Sequence, residues 1–216
     1  NFQPFYLYML DGNKQGQKFY QKMGGKRFPL CDKDTEVLKL KMHDVCWIFD
    51  TSFPQISRFL TVKQMTKKNI PEILKLCQTN PDYYQHMPPK VSAKTIQKDM
   101  RELPPHTQRT DKFYLGFYDK KKLVAILDLI YNYPDKKSCF IGLFMVNKKH
   151  QGKGLGTKII QELLSFLFKS REYVQLGVIA SHILSHHFWM KNGFRFTGKE
   201  YKHPDHTVKI MQINKD

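Results

Sequence analysis

The sequence HQGKGLGTK, residues 150–158, places three closely spaced glycines between an apolar run and an amphipathic one. Glycine lets a ligand come close to backbone N–H groups. The N-terminus of a helix carries partial positive charge, and the lysines of this stretch add to it. Open backbone, positive charge and the start of a helix together predict a binding site for a phosphate group.

The runs on either side of the loop extend this pattern. Residues 157–169 place apolar side chains at helical spacing on one broad face, which predicts a core helix. SCFIGLFMV, residues 138–146, predicts a buried strand. The other predicted elements are strand 59–64, helices 69–78 and 92–103 with a polar connection between them, strands 113–118, 122–131 and 173–180, helix 182–192, and strands 193–200 and 207–213. The fold class is therefore α+β, with a mixed, mostly antiparallel sheet flanked by helices.

Composition excludes several classes of protein. The chain has 216 residues, 41% of them hydrophobic, and its longest apolar run, CFIGLFMV, is too short to cross a membrane. The four cysteines form no CxxC pair, which favours reduced packing residues in a cytoplasmic protein and argues against zinc. The 36 Lys and Arg against 19 Asp and Glu give a net charge of +17, which would attract a polyanion. The lysine clusters carry no interleaved aromatic residues, however, so nucleic acid is not the expected partner.

The glycine loop differs from the common nucleotide-binding loops. It lacks the GxxxxGK[ST] pattern of nucleoside triphosphate sites and the GxGxxG spacing of dinucleotide folds. Gln151, Gly154 and Gly156 instead match the signature Q/R-x-x-G-x-G/A, and HFWMKNGF at 187–194 matches a helix end of the form A-x-x-F-Y-x-x-x-G-F. With these two motifs and this order of elements, residues 58–216 resemble the GNAT acetyltransferase superfamily.

The resemblance implies acetyl-CoA as cosubstrate and no metal. In the family, backbone N–H groups of the loop hold the pyrophosphate, and the end of the preceding strand pairs with the pantetheine amides like an added sheet edge. The residues that this assigns to the cofactor are Phe144, Met145, Val146, Gln151, Gly152, Lys153, Gly154, Leu155, Gly156 and Thr157. His182 joins them, because the family commonly has an asparagine there that contacts the cofactor.

Two positions depart from the family pattern. Trp189 stands where many relatives have a tyrosine that protonates the departing thiolate, and an indole cannot act as that acid. We expect Trp189 to be a wall of the pocket or a core residue, with water protonating the thiolate. His182 replaces the asparagine. His186 and His187 lie close to it, but no carboxylate or cysteine accompanies them at ligand spacing, which favours solvated helix histidines over a metal site.

The transfer reaction needs a base, because an amine must lose a proton before it attacks the thioester. Asp128 is the one carboxylate inside an apolar run, where desolvation would raise its pKa and suit it to this task. A strand carboxylate that faces solvent or binds backbone is the alternative. Tyr83, Tyr84 and Tyr131 are candidates to shape the acceptor pocket, unless they simply belong to the core.

The first 50 residues contain a partial internal repeat. GNKQGQKFYQKMGGKRF aligns without gaps on SHILSHHFWMKNGFRFT, with Asn13 on His182, Tyr20 on Trp189 and Gly24 on Gly193. We therefore expect residues 1–50 to be the C-terminal half of a second GNAT domain, residues 51–57 a linker, and residues 58–216 the complete domain. A half domain must cover its apolar face and sheet edge, and we expect it to pack on the complete domain, on another chain as in a homodimer, or on an N-terminal portion outside this sequence.

The function predicted from the sequence is acetyl-CoA-dependent N-acetyltransfer, by direct transfer, to a small-molecule or protein amine. Two alternatives remain open. A CoA-binding module with weak catalysis would account for Trp189 and His182, and a basic nucleic-acid-associated protein would account for the net charge. The cofactor loop carries no information about which amine accepts the acetyl group.

Overall fold

A computed structural model of the chain describes residues 6–22, 25–27, 32–37, 40–48, 56–86 and 90–215. The chain divides into two compact units, Asn1–Phe53 and Pro54–Asp216. Most of the predicted linker, residues 51–55, lies outside the described residues, as does Gly24. Among the described residues, no helix is long and apolar enough to cross a membrane.

The first unit is a small antiparallel sheet with a helix. Its described elements are β1 (Tyr6–Leu10), α1 (Lys14–Lys22), β2 (Lys26–Arg27), β3 (Lys33–Val37) and β4 (Leu40–Ile48). β4 pairs antiparallel with each of the other three strands. Helix α1 follows Asn13, whose Oδ1 accepts a hydrogen bond of 2.9 Å from the N–H of Gly16. The helix therefore begins at a residue type that satisfies its first N–H groups.

The second unit contains the predicted α+β domain. Its helices and strands are β5 (Thr61–Gln64), α2 (Ile70–Gln78), α3 (Pro81–His86), α4 (Ala93–Asp99), β6 (Lys112–Asp119), β7 (Lys122–Tyr131), β8 (Ser138–Val146), α5 (Leu155–Leu167), β9 (Tyr173–Ile179), α6 (Ile183–Lys191), β10 (Arg195–Lys202) and β11 (Thr207–Asn214). The strands form one sheet in the order β10-β11-β9-β8-β7-β6-β5. All neighbours are antiparallel except β8 and β9, which are parallel. The predicted fold class is confirmed.

Helices cover both faces of this sheet. Neighbouring residues of a strand point to opposite faces, so they contact different helices. Met145 of β8 packs in a cluster with Ile73 of α2 and Ile96 of α4. The next residue, Val146, points the other way and lies beside the first turn of α5, at Gly156. The buried residues of α5 are the predicted stripe: Ile159, Ile160, Leu163, Leu164, Phe166 and Leu167.

Helix α3 was not predicted from the sequence. It occupies the segment that reads as a polar connection, and it begins at Pro81 with Asp82 in its first turn. Proline suits the first helical position because its φ is preset and it has no N–H to leave unpaired, and an acidic side chain there complements the helix dipole. Helix α5 begins at Leu155, two residues before the predicted start.

Candidate functional site

The central feature of the second unit is a gap between β8 and β9. The two strands pair only from Ser138 to Ile141 on β8 and from Tyr173 to Leu176 on β9. β8 continues to Val146 and β9 to Ile179, so within residues 138–179 the sheet opens beyond the last pair. Alternate peptide groups of residues 142–146 therefore face the gap instead of a neighbouring strand.

The gap begins at a β-bulge. Asp128 of β7 pairs with Leu143, and the next residue, Leu129, pairs with Ile141, so Gly142 is an extra residue on β8. A bulge bends its strand and increases the local twist. Glycine is needed here because a Cβ on Gly142 would lie 2.8 Å from Oδ2 of Asp128.

The open strands enclose a cavity of about 310 Å³. Its walls are mostly apolar and come from β8, β9, the glycine loop, α3 and α6. Of the residues assigned to the cofactor by sequence, Phe144, Met145, Val146, Gln151, Gly152, Gly156 and His182 line it. Lys153, Gly154, Leu155 and Thr157 are not among the lining residues and belong to the loop and first helical turn next to them.

Gln151 is an anchor of the loop. Its Nε2 donates hydrogen bonds to the carbonyl of Val146 at 2.9 Å and to Oδ1 of Asn80 at 2.6 Å. Asn80 is buried, and its Nδ2 donates to the same Val146 carbonyl at 3.2 Å. The side chain of Gln151 therefore fixes the end of β8, which leaves the backbone of the loop to contact a ligand.

The glycines have distinct conformational roles. Gly152 and Gly154 have φ values of 72° and 79°, in the left-handed region that glycine tolerates best. Gly154 precedes α5, so the first N–H groups of that helix lie next to it. A Cβ on either glycine would meet no atom within 4 Å, so the loop has free space beside it. A Cβ on Gly156 would lie 3.1 Å from the ring of Phe188, and glycine there allows α5 and α6 to pack closely.

Three aromatic rings form one wall of the cavity. Phe144 of β8 stacks on Phe188 of α6 with ring centroids 5.9 Å apart, and Trp189 lies 5.0 Å from Phe188. Trp189 is 7% exposed and also packs edge-on against Phe194. Trp189 thus lines the cavity and is packed into the core at the same time.

His182 faces the cavity from the N-terminus of α6. Its ring lies 5.0 Å from that of His86 and 6.0 Å from that of Tyr83, both on α3. Burial lowers the pKa of His182 below its usual value, and the nearby His86 and His186 lower it further. A neutral imidazole can both donate and accept a hydrogen bond, which retains the capacity of the asparagine that it replaces.

Asp128 lies next to the bulge. It is not among the residues that line the cavity, but it pairs with Leu143, which is. It is 6% exposed, and its Oδ2 accepts a hydrogen bond of 2.7 Å from Nζ of Lys112. Burial raises the pKa of Asp128 to about 6, although Lys112 opposes the shift. The residue is therefore not a solvent-facing strand carboxylate, and its pKa lies in the range where a side chain can accept a proton near neutral pH.

The three tyrosines predicted for the acceptor pocket lie in different places. Tyr83 lines the cavity, and burial raises its pKa to about 12. Tyr84 packs against the cluster of α2 and α4. Tyr131 is buried at the end of β7 with its ring edge-on to Phe113, and it does not line the cavity.

Several residues of the cavity were missed from the sequence. Asn80 and Asp82 lie at the start of α3, and Nζ of Lys148, which also lines the cavity, lies 3.0 Å from Oδ2 of Asp82. The opposite wall is the end of β9, from Leu176 to Ile179. The dipeptide Asn80-Pro81, a helix-start signal, could have located the first group. Among the described residues, no group of three or more His, Cys, Asp or Glu side chains is arranged to hold a metal ion.

The family comparison agrees with this geometry. Residues 74–194, more than half of the chain, match the model of the acetyltransferase (GNAT) family. The chain belongs to the GNAT acetyltransferase family. It is therefore an acetyltransferase, as predicted, and GNAT enzymes use acetyl-CoA. A search of curated proteins finds no match.

Solved structures of GNAT enzymes share the fold at low sequence identity. The acetyltransferase of Salmonella typhimurium that modifies the N-terminal serine of 50S ribosomal subunit protein L7/L12 has a TM-score of 0.59 and 18% identity, covering 74% of this chain and 98% of its own. RimL, a ribosomal L7/L12 α-N-protein acetyltransferase, in complex with coenzyme A, has a TM-score of 0.56 and 18% identity, covering 74% and 96%. A chimera of the spermidine N-acetyltransferase SpeG from Vibrio cholerae and hSSAT has a TM-score of 0.56 and 21% identity, covering 72% and 95%. The acceptors of these neighbours include both proteins and a small polyamine.

Proposed function

We propose that this GNAT protein transfers an acetyl group directly from acetyl-CoA to an amine, with the cofactor in the gap between β8 and β9. The observation that carries the proposal is the coincidence of three features: an unpaired strand edge, a mostly apolar cavity and a glycine loop that contributes to its lining. The strand edge offers peptide groups to the pantetheine amides. The loop and the first turn of α5 offer N–H groups to the pyrophosphate.

In this arrangement each predicted cofactor residue has a defined part. Residues 152–157 contribute backbone N–H groups, and Lys153 adds charge. Gln151 acts through its hold on Val146 and Asn80. The strand end Phe144–Val146 contributes peptide groups and the aromatic wall. His182 supplies a neutral hydrogen-bonding side chain beside the arm of the cofactor.

The chemistry requires that an ammonium group lose a proton, that its nitrogen attack the thioester carbon, and that the carbon–sulfur bond break. We assign the first step to Asp128, which would receive the proton and later release it to solvent. Trp189 shapes the pocket and takes no part in proton transfer, because an indole N–H is not acidic enough. Water protonates the departing thiolate. Of the tyrosines, Tyr83 is the one whose position supports a role at the acceptor.

The test is a thermal-shift measurement with acetyl-CoA, followed by an assay of thiol release with a panel of polyamines and peptide N-termini. At a hundredfold excess over its dissociation constant, acetyl-CoA should add about 2.7 kcal/mol to the free energy of unfolding and raise the melting temperature. Adenosine without phosphates should have little effect. Stabilisation by acetyl-CoA without thiol release from any amine would favour the CoA-binding module instead.

We also propose that the first unit is the C-terminal half of a second GNAT domain. The bounds of its elements support the repeat: α1 (Lys14–Lys22) and α6 (Ile183–Lys191) coincide at the offset of the sequence alignment, as do the last residues of β1 and β9. The turns agree as well. Gly25 donates its N–H to the carbonyl of Tyr20 at 2.8 Å, as Phe194 does to Trp189 at 3.1 Å.

Strand pairing gives independent support to the repeat. Tyr6 of β1 and Lys26 of β2 both pair with Ile48 of β4. In the second unit, Gln175 of β9 and Arg195 of β10 both pair with Gln212 of β11. The same row of three residues therefore crosses both sheets. Asn13 and Tyr20 would then occupy the positions at which the complete domain has His182 and Trp189.

A further inference from the structure

Two buried polar atoms near the bulge have no partner in the described part of the chain: Oη of Tyr114 and Oδ1 of Asp128. Tyr114 is 2% exposed and Asp128 is 6% exposed. The two residues are directly opposite each other on β6 and β7. Opposite residues point to the same face of a sheet with Cβ atoms about 4.5–5.5 Å apart, so the phenol and the carboxylate share one buried space.

The carboxylate is held in one orientation. Nζ of Lys112 binds Oδ2, and both side chains of this ion pair are almost fully buried. Oδ2 also lies against Gly142, where a Cβ would displace it. Oδ1 is therefore the oxygen that remains available to accept a hydrogen bond.

Charged and titratable groups of α2, α3, α4 and β6 act on the two residues in this space. Burial raises the pKa of Tyr114, and Cys77 of α2, Tyr83 of α3, Asp99 of α4 and Asp128 raise it further. The phenol therefore stays a neutral donor. Asp99 and Glu102 add to the effect of burial on Asp128, while Lys112 opposes it.

A buried donor and a buried acceptor that do not reach each other each lower the stability of the folded protein. Proteins commonly satisfy such groups with an internal water that makes two to four hydrogen bonds. We propose that a buried water bridges Oη of Tyr114 and Oδ1 of Asp128, and that Tyr114 is a positioning residue which, through this water, keeps that oxygen ready to accept the proton of the acceptor ammonium.

The inference rests on the proposed function. In the reaction, the ammonium proton passes to Asp128, the neutral nitrogen forms its bond to the acetyl carbon, and the carbon–sulfur bond breaks. The second nitrogen proton goes through solvent to the thiolate, and Asp128 returns its proton to solvent. The phenol of Tyr114 keeps its own proton throughout.

The first test measures the pKa of Asp128 by carbon NMR of aspartate-labelled protein. In Tyr114→Phe the water loses a partner and Asp128 loses a hydrogen bond to its charged form, so its pKa should rise by about one unit. Tyr118→Phe is the control, because this tyrosine is on the same strand but donates to Oε1 of Glu72 at 2.7 Å. An Asp128 pKa that is the same in Tyr114→Phe and wild type overturns the inference.

The second test follows the rate with the best amine from the panel. Tyr114→Phe should lower kcat by about tenfold, the effect of one lost hydrogen bond to a charged group, move the acidic limb of the pH profile upward, and leave the KM for acetyl-CoA and the melting temperature nearly unchanged. Equal losses of rate and melting temperature in Tyr114→Phe and Tyr118→Phe would mean a structural role and overturn it. If no amine is acetylated but the Asp128 pKa still moves, the bridging water stands and the proposed function fails.

Discussion

Gly154 has a left-handed backbone and free space beside it, and the two properties have different consequences for stability and for binding. Any side chain other than glycine would strain the backbone here and lower the stability of the folded protein, with or without a ligand. The free space matters only when a ligand fills it. A substitution at this position tests both, provided that the strain is measured separately.

Gly154→Val should reduce the affinity for acetyl-CoA at least tenfold, because the side chain would enter the space beside the helix start. Gly198→Val is the matched control: its φ is 83°, against 79° at Gly154, and its Cβ would also meet no atom within 4 Å. Both variants should lose stability to a similar extent, about 1–2 kcal/mol. Calorimetric titration with acetyl-CoA measures the affinity of each variant. Equal affinities in the two variants would disprove the phosphate role of the loop.

Helix α3 and strand β8 are connected through one buried side chain. Asn80, just before α3, binds the carbonyl of Val146 at the end of β8 and accepts from Gln151 of the loop. One buried amide thereby connects the helix, the strand and the loop. The end of the gap is fixed by α3, an element that the sequence pattern did not predict.

Asn80→Ala should destabilise the protein by about 1–3 kcal/mol, since it leaves buried groups unpaired, and should also weaken acetyl-CoA binding. Asn192→Ala is the comparison, because this buried amide donates only to Phe188 of its own helix, at 2.8 Å. Its variant should lose stability with little change in affinity. Denaturant unfolding and calorimetry would measure both effects, and an unchanged affinity in Asn80→Ala would show that the loop does not need this anchor.

The same elements show what a sequence pattern can predict. Strand β8 has the predicted bounds because a buried strand is a continuous apolar run, and the glycine signature placed the loop correctly. Asn80 was missed because the dipeptide Asn80-Pro81 signals only the start of a helix, whereas the contacts of Asn80 with Val146 and Gln151 are long-range hydrogen bonds. Tyr131 was named because it lies near Asp128 in sequence, but it does not line the cavity, and only the tertiary structure could separate it from Tyr83.

The burial of Asp128 makes the stability of the whole protein depend on pH, and its ion partner Lys112 opposes this effect. The pKa of Asp128 is about 6 in the folded protein and 3.8 in an unfolded reference. Because the folded value is the higher one, the folded state favours the protonated carboxyl. The stability that this group contributes is fully present below pH 3.8 and is lost as pH rises through 6.

Asp128→Asn removes this dependence and gives a further prediction. The difference in the free energy of unfolding, wild type minus variant, should fall by roughly 3 kcal/mol between about pH 4 and pH 7, the size expected for a shift of about two pKa units. Urea unfolding of both proteins across this range measures it. A difference that stays constant with pH would mean that Asp128 titrates normally and is a poor candidate for the base.

The parting of β8 and β9 also sets a limit on what can enter. Five residues at about 3.3 Å each give an unpaired edge roughly 16 Å long. The gap closes at Ile141, which pairs with Leu176. The end of β9 lines the same cavity as this edge, so an added strand would have to enter between two strands of one sheet. This geometry makes the unpaired edge of β8 a poor site for the edge-to-edge pairing by which exposed strands aggregate.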